Sequence, residues 1–336
     1  MKVAEIVSQG RLGIREHDVP EPGMGEVLLR IVRVGICGSD LHYLPFAPVG
    51  GVMGHEFVGT VVKQGPGVSS PALGERVCAI PCIGCGHCAS CLAGDPVKCP
   101  EVRFHGGGNP GLGGFGEFVL AGARECIRIP GNVADSAAAL VEPLAVGLHV
   151  VESAAVQPGE RLLILGAGPI GLACAVWARA LGIGDIAVSD PLAMRRDLAL
   201  CMGATETIDP TVIEPGAFCR ERYGVESDVV IECIGRPGRM DAAAAAARRG
   251  GRVMIAGMLM EEERYDPMPL FMKGLGIQFV LQYALRHFSH TVAMLEQGRI
   301  DATPMISAEI SIDEMPDMME RLSRPNSHCK VLVAPH

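Results

Sequence analysis

Residues 25–34 read GEVLLRIVRV, in which polar and branched apolar side chains alternate as in a strand with one buried face. Shorter runs of the same kind stand at residues 3–7, 57–63, 76–80, 116–120 and 126–129, parted by Gly and Pro clusters. No helical period is sustained before about residue 135, so this stretch predicts a β-rich domain. Residues 134–154 then turn alanine-rich and helical, with a break expected at Glu142 and Pro143. RLLILG follows, a continuous apolar run that predicts a parallel strand covered on both faces. After it come a glycine-rich turn, a helix to Leu181, the strand DIAVSD, a helix to Met202 and the strand TETI. SDVVIE and RVMIAG predict two more buried strands, separated by a helix around residues 241–249. Strands alternating with helices build a doubly wound parallel sheet, so the fold class is α/β. Past residue 283 the pattern is mixed, with helices over 290–297 and 313–323 and a closing strand KVLVAP.

Composition narrows what such a chain does. Its 336 residues suit two domains, and with 49% hydrophobic and 20% charged residues it supplies a large core. Aromatics make up 4% against 43 glycines, so that core is built from aliphatics and alanine at close backbone approach. A net charge of −9 opposes binding to nucleic acid or to an anionic membrane. The first residues carry no apolar signal core, and a cytoplasmic location is expected. Residues 162–178 carry no charge, yet Gly166, Gly168, Pro169 and Gly171 break them into strand, turn and helix, which argues against a membrane span. The thirteen cysteines are expected to be reduced, with Cys174, Cys201 and Cys233 serving as small core residues.

Three constellations carry chemistry. Cys85, Cys88, Cys91 and Cys99 lie in CGHCASCLAGDPVKC, a spacing that can wrap four thiolates around one tetrahedral structural Zn²⁺, the alternative being unrelated buried cysteines or disulfides. Gly84, Gly86, Gly94 and Pro96 supply the turns. Gly166, Gly168, Pro169, Ile170 and Gly171 form a G-x-G-x-x-G turn between a predicted strand and helix, suited to pyrophosphate at a helix N-terminus. Asp190, at the end of the next strand, is placed to bond ribose hydroxyls and repel a 2′-phosphate, which favours NAD; it also suits a helix cap before Pro191. Arg195 nearby is a cation that could accommodate a phosphate. Cys37, His55, Glu56 and Glu142 are the remaining metal candidates, although each alone also suits a core thiol, a capped histidine or a solvated acid.

CGSDLH, GHEFVG, the cysteine quartet, VEPLAV, GAGPIG and Asp190, in this order, resemble the zinc-containing medium-chain dehydrogenase/reductase family, most closely its polyol (sorbitol-type) and threonine dehydrogenase branch. The resemblance implies a GroES-like catalytic domain over residues 1–145 and 284–336, with a Rossmann domain inserted over 146–283. It implies a catalytic Zn²⁺ on Cys37, His55 and Glu56 with Glu142 near the fourth position, hence two zinc ions per chain. Ser39 and His42 fall at the family's proton relay, and the implied reaction is hydride transfer from a secondary alcohol or polyol to NAD⁺, giving a ketone. An amino-alcohol (threonine-type) dehydrogenase is the alternative, disfavoured because AIPCIGC lacks the histidine usual there. A non-catalytic zinc and nucleotide protein is a third reading, disfavoured because a binder needs no proton relay. The loop LHYLPFAPVGGVM is shorter than in typical sorbitol dehydrogenases, which suggests a more open pocket for a cyclic or bulky alcohol. Tyr43, Phe46, Phe104 and Phe115 suit pocket walls or core, and HGGGNPGLGGFG a lid or linker. A homodimer or homotetramer is expected, paired through RVMIAGM and GIQFVLQY.

Overall fold

A computed structural model describes residues 1–107 and 111–336; part of HGGGNPGLGGFG therefore lies outside the described residues. The chain forms two compact units, one of Met1–Glu142, Tyr283–Gly298 and Ile306–His336, the other of Pro143–Gln282 and Arg299–Met305. Arg299–Met305 is grouped with the second unit.

The chain opens with strands β1 (Lys2–Ser8), β2 (Arg11–Glu16) and β3 (Glu26–Gly35), then helix α1 (Gly38–Tyr43). Strands β4 (Glu56–Gln64), β5 (Arg76–Ala79) and β6 (Cys82–Ile83) follow, with α2 (Ala89–Leu92) inside the cysteine lobe. Next are β7 (Arg103–Phe104), β8 (Phe118–Gly122), β9 (Cys126–Arg128), α3 (Asp135–Ala138) and α4 (Val141–Ala154). The second unit contributes β10 (Arg161–Leu165), α5 (Pro169–Ala180), β11 (Asp185–Ser189), α6 (Ala193–Cys201) and β12 (Glu206–Ile208). It continues through α7 (Pro215–Tyr223), β13 (Ser227–Glu232), α8 (Arg239–Ala246), β14 (Ala247–Ile255), α9 (Pro267–Lys273) and β15 (Gly276–Phe279). The chain closes with α10 (Leu285–Glu296), β16 (Ile306–Ser311), α11 (Met315–Leu322) and β17 (Lys330–Ala334).

In the first unit a seven-stranded sheet runs β16-β17-β3-β4-β5-β9, with β8 also on β3. The inward residues of β3 and β4, among them Leu29, Ile31, Val34, Phe57 and Val61, form its core with Phe115, Val119 and Val333. Phe115 is thus core rather than pocket wall, and a Cβ on Gly54 would stand 2.5 Å from its ring. Phe46 is exposed on the loop after α1.

The second unit is a parallel sheet ordered β12-β11-β10-β13-β14-β15. Leu163, Leu165, Val230 and Val253 meet Ala243, Ala246 and Ala247 in one of its cores. These small residues let α7 and α8 approach closely, since a Cβ on Gly216 would lie 2.9 Å from the Ala246 Cα.

Several local expectations need correction. The helix over 134–154 breaks at Ala139 and Leu140, not at Glu142 and Pro143. Pro143 sits in the first turn of α4, where a proline costs no helical hydrogen bond. The helix expected to reach residue 249 stops at Ala246, because the next residues already pair in β14. Of GIQFVLQY only Gly276–Phe279 is strand. Cys201, expected in the core, is exposed at the end of α6. Among the described residues no helix is long and apolar enough to cross a membrane.

Candidate metal and dinucleotide sites

Pairing of β3 with β4 assembles the first cluster. Cys37 follows β3 and caps α1, while Glu56 opens β4 opposite Gly35. Cys37, His55 and Glu56 each offer a ligand atom within 4.8 Å of the other two. Only glycine fits at position 35, where a Cβ would lie 2.0 Å from Glu56 Oε2.

Asp40 orients the imidazole. Its Oδ2 accepts from Cys37 N at 2.9 Å and its Oδ1 lies 3.4 Å from His55 Nδ1. Nε2 of His55 is thereby turned toward Ser39 Oγ, at 3.4 Å. Burial works to lower the His55 pKa, yet Asp40 and Cys37 together hold it well above the ordinary range. His42 is exposed in the last turn of α1, three residues from Ser39 and so on the same helix face.

Glu56 and Lys330 are 0% and 1% exposed. The Lys330 ammonium donates to Glu56 Oε1 at 2.7 Å, to Oε2 at 2.6 Å and to the Ile36 carbonyl at 3.0 Å, using all three protons. Each carboxylate oxygen keeps a further lone pair, so Glu56 can still offer a ligand atom. Glu142 stands outside the three-residue group. Burial pushes its carboxyl up to about 7, with His55 pulling it down and Glu56 adding to the rise, and the Tyr283 hydroxyl donates to its Oε1. A thiol, an imidazole and a carboxylate converging in this way are the donor types of a zinc site with three protein ligands.

The second cluster is the quartet, in which Cys85, Cys88, Cys91 and Cys99 lie mutually within 4.8 Å. None of the thirteen cysteines is in a disulfide. Backbone N–H groups point at the sulfurs: Cys85 N at Cys99 Sγ (3.3 Å), Cys88 N at Cys85 Sγ (3.4 Å) and Cys91 N at Cys88 Sγ (3.5 Å). The Cys85 thiol is drawn down to about 6 by the backbone N–H groups of His87 and Cys88, while burial and the neighbouring thiols push Cys91 up to about 12. Four sulfurs gathered this closely can hold one metal ion, and Zn²⁺ at its usual Zn–S distance fits the spacing.

The third constellation lies wholly in the second unit. Gly166 has φ +98°, and Gly171 approaches it so closely that a Cβ would stand 1.9 Å from Gly166 O. Gly168 caps α5, and a Cβ there would meet nothing within 4 Å, leaving open space beside the helix N-terminus that starts Pro169, Ile170, Gly171. Buried Asp190 accepts from Ala167 N at 3.0 Å and Leu192 N at 2.9 Å, tying the glycine turn to the end of β11. It is therefore not the helix cap, a position held by Leu192. Arg195 Nη1 lies 3.9 Å from Asp190. The turn, the open helix end and the carboxylate after the next strand have the shape of a dinucleotide cradle.

Sequence reading passed over Asp40, Lys330 and Tyr283, and also Arg196, which donates to the Asp190 and Pro191 carbonyls. Asp40 stands three residues after Cys37, the spacing of a capping box, and Lys330 breaks an otherwise apolar strand. Tyr283 carries no such signal.

Comparison with known proteins matches residues 23–131 to the family described as "Alcohol dehydrogenase GroES-like domain" and residues 169–297 to "Zinc-binding dehydrogenase". Sorbitol dehydrogenase of Bacillus subtilis (strain 168) is 31% identical over 351 residues, covering 100% of this chain and 98% of that protein. Human sorbitol dehydrogenase is 30% identical, covering 94% of this chain and 90% of its own length. Among solved structures, a zinc-binding dehydrogenase from Sinorhizobium meliloti 1021 bound to NADP superposes with TM-score 0.89 at 33% identity, covering 99% of each chain. The alcohol dehydrogenase rspB of Escherichia coli CFT073 complexed with NADH gives 0.90 at 28% identity, again over 99% of each.

Proposed function

Because the chain belongs to the zinc-containing medium-chain dehydrogenase/reductase family, in its polyol branch, we propose that it oxidises a secondary hydroxyl of a polyol or related alcohol to a ketone with NAD⁺. The observation that carries this reading is the convergence of Cys37, His55 and Glu56 at the β3–β4 pairing. These three residues would hold the catalytic zinc, and the quartet a structural one. When bound, zinc supplies Lewis acidity toward a hydroxyl oxygen and NAD supplies the hydride acceptor.

The chain's own residues do the rest. Asp40 fixes the His55 ring so that Nε2 faces the Ser39 side. Ser39 accepts the hydroxyl proton at Oγ, and exposed His42 on the same helix face delivers it to solvent. Glu142 is held in place by Tyr283, whose hydroxyl donates to its Oε1. In the second unit the glycine turn receives the pyrophosphate, and Asp190 favours ribose hydroxyls over a 2′-phosphate, hence NAD over NADP. Arg195 stands beside Asp190 in that site.

A second copy of the chain is the partner this reading includes. β15 ends its sheet with Phe279 69% exposed, Leu281 just past the strand is 76% exposed, and Met268, Phe271 and Met272 are exposed on α9. An apolar free edge of this kind supports strand pairing between two copies. Cysteines that form no disulfide suit the reducing cytoplasm.

Replacing Cys37 tests the assignment. Cys37→Ser should keep the fold, drop the zinc content from two to one and abolish turnover; full activity in that variant overturns the site. NADH formation with acyclic polyols, cyclic alcohols and threonine then sorts the substrate class, and oxidation of threonine alone would overturn the polyol reading.

A further inference from the structure

In the parallel sheet the chain builds outward from β10 through β11 to β12, then returns to place β13 on the other side of β10. Open α/β sheets bind ligands beyond the strand C-termini at such a switch point. One of the two strands there, β10, leads into the glycine turn. The other, β13, ends at Glu232, in register with Leu165.

Glu232 is 2% exposed, and the chemistry assigned above makes no use of it. Its Oε1 accepts from Ile234 N at 2.6 Å and from Gly235 N at 3.0 Å. Its main-chain carbonyl accepts from Ala256 N at 2.8 Å and Gly257 N at 2.9 Å. One residue therefore gathers N–H groups from both segments that leave β13 and β14. The segments interlock, since a Cβ on Gly257 would lie 2.3 Å from Gly235 N and 2.4 Å from Glu232 Oε2. A Cβ on Gly235 would lie 2.5 Å from Met258 O. The first segment also abuts the glycine turn: Cys233 N donates to Leu165 O at 2.9 Å, and a Cβ on Gly166 would lie 3.0 Å from Ile234 Cγ1. Burying a carboxylate is costly, and a leucine or methionine would fill the same space more cheaply. What the carboxylate adds is the fixed direction of the Ile234 and Gly235 N–H groups, with its Oε2 packed against Gly257 of the second segment, and so the shape of the loop pair.

We propose that Glu232 is a positioning residue of the dinucleotide site, holding the segments after β13 and β14 in the form that receives the part of the dinucleotide beyond the pyrophosphate. The inference rests on the NAD reading given above. The adenosine half belongs to the other side of the switch point, with the glycine turn and Asp190. Glu232 therefore governs binding of the whole dinucleotide and not of AMP.

Titrations of the full-length protein with NADH (by fluorescence) and with AMP (by calorimetry) test this. Glu232→Ala should weaken NADH binding by about 10- to 100-fold and leave AMP within about twofold, while Glu232→Gln, which keeps an acceptor oxygen, stays within about threefold for both. Should Glu232→Ala not fold, Gly257→Ala pushes a methyl into the same contact from the opposite segment and is expected to show the same split. An NADH affinity within twofold of the parent in the folded variant overturns the inference, and so does equal loss of NADH and AMP, which would mean general disruption. A parent chain that binds neither ligand overturns the cofactor reading itself, a result distinct from either.

Discussion

Replacing Lys330 by methionine removes a charge while keeping the volume of the side chain. In the folded protein its ammonium satisfies both oxygens of Glu56 and the Ile36 carbonyl, at 2.6 to 3.0 Å, where neither partner of the ion pair reaches solvent. Burial alone would lower the Lys330 pKa, and the pull of Glu56 and Cys37 more than offsets it, so the lysine keeps its charge in place. Breaking a buried pair from one side leaves an uncompensated charge, which costs about 3–5 kcal/mol. Glu56→Gln made together with Lys330→Met removes that charge and should recover most of the loss, giving a coupling of about 2 kcal/mol or more. Guanidinium unfolding midpoints for the parent, both single variants and the double variant supply the cycle, provided the slopes agree. Added Zn²⁺ should narrow the deficit of Lys330→Met, because a cation shared by Cys37, His55 and Glu56 takes over part of the ammonium's task. A deficit under about 1 kcal/mol, or a double variant no more stable than Lys330→Met, refutes the reasoning.

Three further outcomes follow from named contacts. Burial drives the His105 pKa from 6.5 down to about 4, with the Leu120 carbonyl opposing, so the unfolded chain binds the extra proton between those values. Stability should therefore fall as pH drops from about 6.5 toward 4, by about 3 kcal/mol from this group, and His105→Gln should flatten that slope in urea titrations. On the NAD reading proposed above, Asp190→Asn removes a charge that would repel a 2′-phosphate, so the ratio of kcat/KM for NADP⁺ over NAD⁺ should rise at least about tenfold; an unchanged ratio places the selectivity elsewhere. Phe279→Asp puts a charge on the exposed edge of β15 and should halve the mass seen in sedimentation, whereas an unaltered mass rules that edge out as the contact.

Much of the fold could be read because its signals are local. The alternation in GEVLLRIVRV and the short apolar runs of RLLILG and SDVVIE became β3, β10 and β13. α7 went unread although Glu214 and Pro215 carry a start signal, the Glu214 carboxylate accepting from Gly216 N and Ala217 N. Its sequence PGAFCRERY spreads polar residues all around, so no apolar stripe marks it. The break before α4 was misplaced because proline was read as a stop, when in a first turn it is a start.

The sites divide along the same line. The quartet closes within one short lobe, so its spacing carries the geometry, and the glycine turn needs only a strand before it and a helix after. Cys37 and Glu56 meet through the β3–β4 register, which spacing along the chain does not encode. Lys330 reaches Glu56 from 274 residues away, and Tyr283 reaches Glu142 from 141. A sequence announces that Glu56 lies in an apolar strand and Lys330 opens another, two violations of the usual burial rule. Each violation alone could mean a surface strand or a misread element. Only the antiparallel pairing of β17 with β3, and of β3 with β4, makes them one another's remedy. A buried charge is thus legible as a demand for a partner before the partner is known, and another apolar strand carrying a lone opposite charge is where to look for it.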